Sequence, residues 1–457
     1  MNMVNVKGKQ GKQNIVALQT PELKNLKLLY WIYAFLIFVA YIMPQYFGVH
    51  IGFDITTTRF ANILIILYMI FSPKVLTHFW KTTIRCEIFL PLCLYLFVGG
   101  YTMVLRTDIN AFFMIFMEIL TLFMLVYGIR YVVGYKRAIK WSIYCAYFLS
   151  CYGLVEYLYG ESIFLKFLST VPNTVANYYR SGHYRIMGPC GHSLGYGLLL
   201  ILFIAIACID LEKNELFLFK RPILLVLLYV NVFLTGSRST LGIAVVEAVV
   251  ILIFSNRRNI KKSLLILCVF VVAMAVFLLL FYNTDIGQYL MGQIASVVDQ
   301  VFGTNYAAGF GVETDRLEDS AAYRAALPYI FTLDWLNPLI GRGTGFSGAE
   351  INGVFIHSID NYYVAQYIKY AYPGLIVYVL FILVMAVVLI KDIVKSGSAV
   401  SKAVFIGAFF YFLNLWWVDA LQTLKFMYIL IAIFYACYLE RKDAKKYNLL
   451  QTMRDKV

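Results

Sequence analysis

Long apolar stretches alternate with short polar ones along this chain. Apolar runs lie at roughly 28–47, 58–73, 86–105, 109–129, 139–160, 189–209, 222–236, 239–255, 263–282, 364–390, 399–417 and 420–439. They lack the period-two alternation of a half-buried strand, and most are too long for a buried one, so each predicts a helix. The second and seventh runs are short for a membrane span. In lipid the backbone must satisfy its own hydrogen bonds, which leaves helices or closed barrels. The pattern therefore predicts an all-α, polytopic membrane protein of about twelve transmembrane helices, with 1–457 forming a single membrane-embedded domain.

Composition agrees. Of 457 residues, 61% are hydrophobic and 14% charged, against about 25% charged in a typical soluble domain. A single soluble core stops growing near about 250–300 residues, so the surplus apolar surface calls for lipid. The eight cysteines, Cys86, Cys93, Cys145, Cys151, Cys190, Cys208, Cys268 and Cys437, sit in or beside apolar runs, and none forms a C-x-x-C pair. They read as small core residues, not as a disulfide framework or metal site. Lys7, Lys9 and Lys12 precede the first run. No small-residue cleavage site follows it, so the run is expected to be a retained anchor.

Charge orients the ladder. With the N-terminus inside, 28 of the 39 Lys and Arg fall in inner segments and 11 in outer ones. That bias places both termini in the cytoplasm. The net charge of +14 is then mostly an inner rim facing anionic lipid, and it calls for no nucleic acid. The outer set differs in kind. Eight of its 11 members are Arg: Arg59, Arg106, Arg180, Arg185, Arg238, Arg316, Arg324 and Arg342. A single Arg at such a depth commonly pairs with a headgroup or a loop. As a group, the planar guanidinium forks suggest an anionic ligand at the outer face.

Two outer segments are large, at about 161–188 and about 283–362, the second between spans nine and ten. Long loops tend to carry function. The second has amphipathic stretches at 286–301 and 319–333, expected as interfacial helices. No P-loop and no G-x-G-x-x-G occurs. An active site would face outward, where nucleotides are absent, so its substrate must arrive already activated in the membrane. A lipid-linked diphosphate meets that need.

Three outer clusters carry candidate chemistry. Tyr184-Arg185-Ile186-Met187-Gly188-Pro189-Cys190-Gly191-His192 leads into the sixth span. Thr235-Gly236-Ser237-Arg238-Ser239 forms the turn between spans seven and eight. Asn337-Pro338-Leu339-Ile340-Gly341-Arg342-Gly343-Thr344-Gly345 precedes His357-Ser358-Ile359-Asp360-Asn361-Tyr362-Tyr363 and then Tyr372-Pro373-Gly374. On these residues, over roughly 180–380, the chain resembles the O-antigen ligase and polysaccharide-repeat polymerase superfamily. That family shows an R-x-x-G run into a span, a G-S-R turn, a P-L-x-G-x-G element, an H/D-N-x-Y/F-L stretch and a span containing G-x-x-G. The resemblance implies a multispan, GT-C-like architecture and an inverting, metal-independent glycosyltransferase. It also implies undecaprenyl-diphosphate-linked oligosaccharide as donor, no cofactor, and the bacterial cytoplasmic (inner) membrane as location.

Arg185 and Arg238 match the family's diphosphate-binding arginines, and Arg180 and Arg324 could add to them. Fixed guanidinium forks would meet the charge developing on the departing diphosphate. The acceptor hydroxyl needs a general base. The family's histidine usually stands directly before the Asn; in this chain Asp360 holds that place and His357 lies three residues earlier. On a helix the two would share a face, so either could be the base, or Asp360 could orient His357. Asn361, His192, Tyr184 and Tyr362 are expected to line the substrate site. His183 is a weaker candidate, and Tyr178, Tyr179 and Tyr363 are further possible sugar contacts. Glu118 and Glu247 are intramembrane carboxylates, readable as protonated, tyrosine-bonded or partnered with another span.

Three functions compete. A polymerase would join lipid-linked repeats into capsule, exopolysaccharide or O-antigen. A ligase would move finished glycan onto lipid A-core or another acceptor. A transporter or flippase of lipid-linked glycan would use Glu118 and Glu247 for coupling, but paired broken helices in inverted repeats are not evident. Departure from the family's His-Asn pattern favours the polymerase. Expected partners are the lipid-linked substrate, membrane lipid, and a chain-length regulator or flippase of the same pathway.

Overall fold

The structure, a computed structural model, describes residues 26–51, 54–171, 175–180, 183–310, 323–351, 353–356 and 359–454. Its helices are α1 (Leu26–Ile42), α2 (Thr57–Ile70), α3 (Pro73–Ile84), α4 (Phe89–Arg106), α5 (Ile109–Gly128), α6 (Tyr135–Tyr159), α7 (Ser193–Ala207), α8 (Pro222–Leu234), α9 (Arg238–Ile253), α10 (Arg257–Leu280), α11 (Asp285–Phe302), α12 (Tyr362–Ser396), α13 (Ala399–Asn414) and α14 (Leu424–Arg454). Four antiparallel hairpins of two or three residues per strand punctuate the connections: β1–β2 (Gly48–His50, Asp54–Thr56), β3–β4 (Tyr178–Arg180, His183–Arg185), β5–β6 (Ile209–Asp210, Glu215–Leu216) and β7–β8 (Ala349–Ile351, Val354–Ile356).

Each of the twelve apolar runs contains one helix. By length and composition, Phe89–Arg106, Ile109–Val133, Arg257–Leu280 and Tyr362–Ser396 can each cross a membrane. The α2–α3 pair, bent by 115°, makes a fifth if it counts as one span. The shorter apolar helices, such as Pro222–Leu234, reach only about 20 Å at 1.5 Å per residue, less than a bilayer core of about 30 Å. The protein is thus a helical membrane protein with four or five spans evident from helix length alone among the described residues. Helix α3 was not expected from the sequence. Pro73 at its first turn ends α2 and starts a new direction, because proline suits a helix start and not a helix interior.

The connections sort to two ends of the bundle. At one end, Thr170 donates to the Gly48 carbonyl (3.2 Å), Ile186 to Leu234 (3.3 Å) and Tyr362 to Leu415 (3.0 Å) through their backbones. Gln45 reaches the Gln422 carbonyl there (2.9 Å). At the other end, Arg85 pairs with Asp443, Arg130 with Glu440 (2.9 Å) and Arg441 with Asp392. Burial follows the same logic. Helix α7 is buried around almost its whole circumference, as is the apolar half of α14. A helix apolar all round belongs inside the protein or against lipid. Helix α10 takes the second option: most of its apolar side chains are exposed.

Helix α12 is broken. Ala371 has φ 53° and ψ −163°, and Pro373 follows. Proline cannot donate to the carbonyl four residues back and crowds it, and that carbonyl belongs to Lys369. Residues 338–343 repair the break. Gly343 N–H donates to Lys369 O (3.0 Å), Arg342 N–H to Ile368 O (2.8 Å), and Tyr372 N–H to Pro338 O (3.1 Å). The P-L-x-G-x-G element therefore acts as a clamp on the broken helix. Gly341 has to be glycine, because a Cβ there would stand 2.0 Å from Lys369 O. Gly341→Ala is expected to cost about 3 kcal/mol, the upper end of overpacking penalties, read as a lower unfolding midpoint in detergent.

Candidate functional site

A cavity of about 1340 Å³ opens at the first of these two ends of the bundle, where Ile186 meets Leu234 and Tyr362 meets Leu415. It is lined by Arg185, Arg238, Arg324, His192, Asp360 and Asn361, expected from sequence, and also by Ser237, Lys369, Trp416, Trp417 and Asp419. Residues from five separate stretches of chain thus converge on one space.

Three helix starts face it. His192 caps α7, its Nδ1 accepting from Leu194 N–H (3.0 Å). Ser237 caps α9, its Oγ accepting from Thr240 N–H (3.4 Å). Asn361 caps α12, its Oδ1 accepting from Tyr363 and Val364 N–H (3.0 and 3.1 Å). All three caps line the cavity. Each helix presents the positive end of its dipole, about half an elementary charge, to the same volume. Together with the three arginines, these helix starts gather positive charge around one space.

Arg185 is set by the G-S-R turn. Its Nε donates to Thr235 O (2.8 Å). Gly236 has φ +60°, and a Cβ there would crowd that Nε at 3.1 Å, so glycine serves both the turn and the arginine. Arg324 lies in a short helical turn at 323–326, and its buried Nε has no hydrogen-bond partner among the described residues.

Other arginines of the set expected at the outer face have structural duties. Arg106 donates to the Gly341 and Ile340 carbonyls (2.8 and 3.2 Å). Arg342 donates to Trp335 O (3.1 Å) and lies over the Trp335 ring. Arg59 donates to Asp54 O (2.7 Å). Arg316, and the side chain of Arg180, lie outside the described residues.

The expected helix carrying both His357 and Asp360 is corrected. Residues 354–356 form a strand, Asp360 precedes the helix, and α12 starts at Tyr362. The three-residue spacing therefore gives no shared helical face. His357 itself lies outside the described residues.

Tyr184 and Tyr362 are not among the cavity's lining residues. Both are buried. The Tyr184 hydroxyl donates to Glu156 (2.7 Å), and the Tyr362 ring packs against Tyr363 and Tyr378. Asn361 lines the cavity while its carbonyl oxygen serves as helix cap. His192, also a cap, is held neutral near pH 7. Burial, and secondarily the Arg185 charge, lowers it to about 4. With Nδ1 accepting, its proton sits on Nε2. His183 stacks on Tyr289 of α11 (4.0 Å).

Sequence reasoning missed two acids. Asp419, in the turn between α13 and α14, lines the cavity. Burial raises it above the ordinary carboxylate range; the Lys369 ammonium opposes the rise and Asp360 adds to it. Glu156, inside α6, accepts from the N–H groups of Met187 (2.9 Å) and Gly188 (2.9 Å) as well as from Tyr184. It anchors the strand that ends in Arg185. Glu156→Ala leaves two buried backbone N–H groups unsatisfied, at about 1–3 kcal/mol each. The expected result is a marked fall in unfolding midpoint, read by calorimetry. Of the two acids expected in the membrane, Glu118 takes a hydrogen bond from the Tyr428 hydroxyl (3.2 Å). The partner expected for Glu247 is not found: neither carboxylate oxygen has a hydrogen-bond partner among the described residues.

A comparison with curated proteins finds no match. Residues 223–379 match the family model described as O-antigen ligase. The matched stretch runs from α8 into α12 and contains Arg238, Arg324, Asp360, Asn361 and Lys369; Arg185, His192 and Asp419 lie outside it. The match and the convergence of those residues on one cavity agree, and over residues 223–379 the chain is similar to the O-antigen ligase family.

Proposed function

We propose that this protein is a polymerase that transfers undecaprenyl-diphosphate-linked oligosaccharide repeats onto a lipid-linked acceptor, at the outer face of the bacterial cytoplasmic membrane. The observation that carries the reading is the single cavity joining an anion site to a carboxylate pair. Arg185, Arg238 and Arg324 with three helix starts form the first, and Asp360 with Asp419 the second.

The acceptor hydroxyl oxygen attacks C1 of the donor sugar from the face opposite the diphosphate. Its proton passes to Asp360, the C1–O bond to phosphate breaks, and undecaprenyl diphosphate leaves with the bonding pair. One displacement inverts C1. The arginines and helix starts stabilise the charge that grows on the leaving group, and Asp360 provides the base. Asp419 is a positioning residue whose negative charge acts on the Lys369 ammonium across the same cavity. The positive-inside bias supports an outward-facing cavity and cytoplasmic termini.

The ligase reading shares this donor chemistry and differs in acceptor. Purified protein in nanodiscs is supplied with lipid-diphosphate oligosaccharide and no nucleotide. A ladder of multimers supports the polymerase. Product formed only on an added lipid A-core acceptor makes the protein a ligase. No transfer, with lipid-linked glycan crossing between leaflets, overturns both in favour of a transporter.

A further inference from the structure

Basic side chains at the end of the bundle opposite the polar cavity are held in two ways. Arg85, Arg130, Arg441, Lys220 and Lys442 each pair with a carboxylate. At the starts of α1 and α6 the arrangement differs. Lys27 on α1 and Lys136, Arg137 and Lys140 on α6 are exposed, and none of the four makes a salt bridge among the described residues. Aromatic rings hold two of them instead. The Arg137 guanidinium lies over the Tyr30 ring (5.4 Å to its centre), and the Lys140 ammonium over the Tyr144 ring (5.7 Å). Tyr30 of α1 meets Trp141 of α6 edge-on (5.8 Å), and its neighbour Trp31 likewise (5.7 Å). The two helices therefore meet in one basic and aromatic patch.

A cation stacked on a ring is oriented but keeps its charge, whereas one paired with a carboxylate is neutralised. The first turn of α6 holds no acidic residue, so the protein does not offset the charge there. Arg137 and Lys140 stand three apart, and Lys136 and Lys140 four apart, so they are neighbours on the helix surface, with about 5–6 Å between Cβ atoms. Lys27 precedes Tyr30 by one turn. The patch thus offers adjacent cations to two phosphates, not to one. Trp31, Tyr144 and Phe148 are exposed beside it, as in the aromatic belt at headgroup level. The start of α10 is a natural contrast. Arg257, Arg258, Lys261 and Lys262 are exposed there, but no ring lies over any of them among the described residues.

We infer that the patch between the starts of α1 and α6 binds an anionic phospholipid whose headgroup carries two phosphates on a short bridge, as in diphosphatidylglycerol. Arg137 presents a planar fork to one phosphate and Lys140 a point charge to the next. Lys27 and Lys136 add charge at the rim, and a headgroup with a single phosphate leaves most of it unmet. The rings support the bridge and the first methylenes at the membrane interface. Basic pockets between spans suit such headgroups. The charge bias makes this the cytoplasmic end, so the lipid comes from the inner leaflet. The site lies away from the polar cavity and does not depend on the transfer chemistry.

The test titrates full-length protein in mild detergent with diphosphatidylglycerol, phosphatidylglycerol or phosphatidylethanolamine and counts bound lipid by native mass spectrometry. Wild type is expected to hold one diphosphatidylglycerol about tenfold or more tightly than phosphatidylglycerol. Lys136→Gln/Arg137→Gln/Lys140→Gln is expected to weaken that binding about 10²-fold, at about fivefold for each basic residue facing anionic lipid. Lys261→Gln/Lys262→Gln, which removes charge from the start of α10, is expected to leave it near wild type. Loss of inner cations can disturb insertion, so a further variant keeps every charge and removes the rings. Tyr30→Leu/Tyr144→Leu is expected to weaken binding about five- to thirtyfold, the worth of two cation–π contacts. Equal weakening by the α6 and α10 charge variants reduces the patch to general rim charge and overturns the proposal. Phosphatidylglycerol binding as tightly as diphosphatidylglycerol overturns it, and so does unchanged affinity in Tyr30→Leu/Tyr144→Leu. A lipid-free dimer that the α6 variant dissociates gives the patch to a second copy of the chain, and overturns it as well.

Discussion

Replacing Arg238 by alanine is expected to lower glycan transfer by about 10²–10³-fold, the range seen when one preorganised donor to a developing oxyanion is removed. The loss belongs mainly to kcat, because the leaving diphosphate gains charge as the C1–O bond breaks and the fork interacts most strongly at that point. Arg238 is the first residue of α9 and its side chain is half-buried at the cavity wall. It adds its charge to the helix dipole, and the low local dielectric strengthens both. Arg238→Lys restores charge but not the planar fork, and is expected to recover only part of the rate. Folding is the control: the capping of α9 by Ser237 does not use the guanidinium, so the unfolding midpoint should stay near wild type. Full activity in Arg238→Ala would remove the diphosphate from this side of the cavity.

Asp360→Asn is expected to reduce transfer by about 10²–10⁴-fold, the usual contribution of a general base, with donor binding retained because the arginines are intact. The pH profile supplies the second readout. Asp419 must be ionised to act on the Lys369 ammonium, and burial keeps its carboxyl protonated above the ordinary range. The acidic limb of kcat/KM should therefore lie above the ordinary aspartate value of about 3.9. In Asp419→Asn that limb moves to lower pH and the maximum rate falls. Stability runs the other way. A carboxylate whose folded pKa is raised favours the fold below its unfolded pKa, and that advantage is lost as pH rises through the folded value. Asp419→Asn should accordingly be more stable than wild type at neutral pH while less active. If Asp360→Asn keeps its activity, the base is elsewhere, and His357→Ala becomes the deciding variant.

Much of the candidate site could be read in the chain because its parts carry local signals. Arg185 and Arg238 stand beside glycine-containing turns, and Asp360 and Asn361 stand directly before an apolar run. Their order along the ladder puts them all at one end. Asp419 carries no such signal: it is one acid in a short turn between apolar runs, and only the packing of α13 and α14 brings it beside Lys369 and Asp360. Glu156 was hidden for a different reason. Its partners are backbone N–H groups 31 and 32 residues away, which no side-chain pattern reveals. The arginine excess was a true signal with a mixed cause, since Arg106 and Arg342 hold loop carbonyls and an indole ring while Arg238 faces the cavity. Tyr-Pro-Gly marked the break in α12, but where the freed carbonyls would turn depended on a loop whose docking is three-dimensional.

That clamped break bears on how the protein is made. A broken helix leaves the Lys369 carbonyl without its helical partner, and a buried carbonyl left unmet costs about 1–3 kcal/mol. The repairing segment, Pro338 to Gly343, precedes α12 in the chain and so is synthesised first. It lies roughly two dozen residues upstream, a short loop to close. The patch is therefore already made when the broken helix follows, and the order of synthesis matches the order in which the backbone needs its partners. Moving the glycine-rich segment to a position after α12 by circular permutation would reverse that order, and would be expected to impair insertion even though every contact of the finished protein remained available.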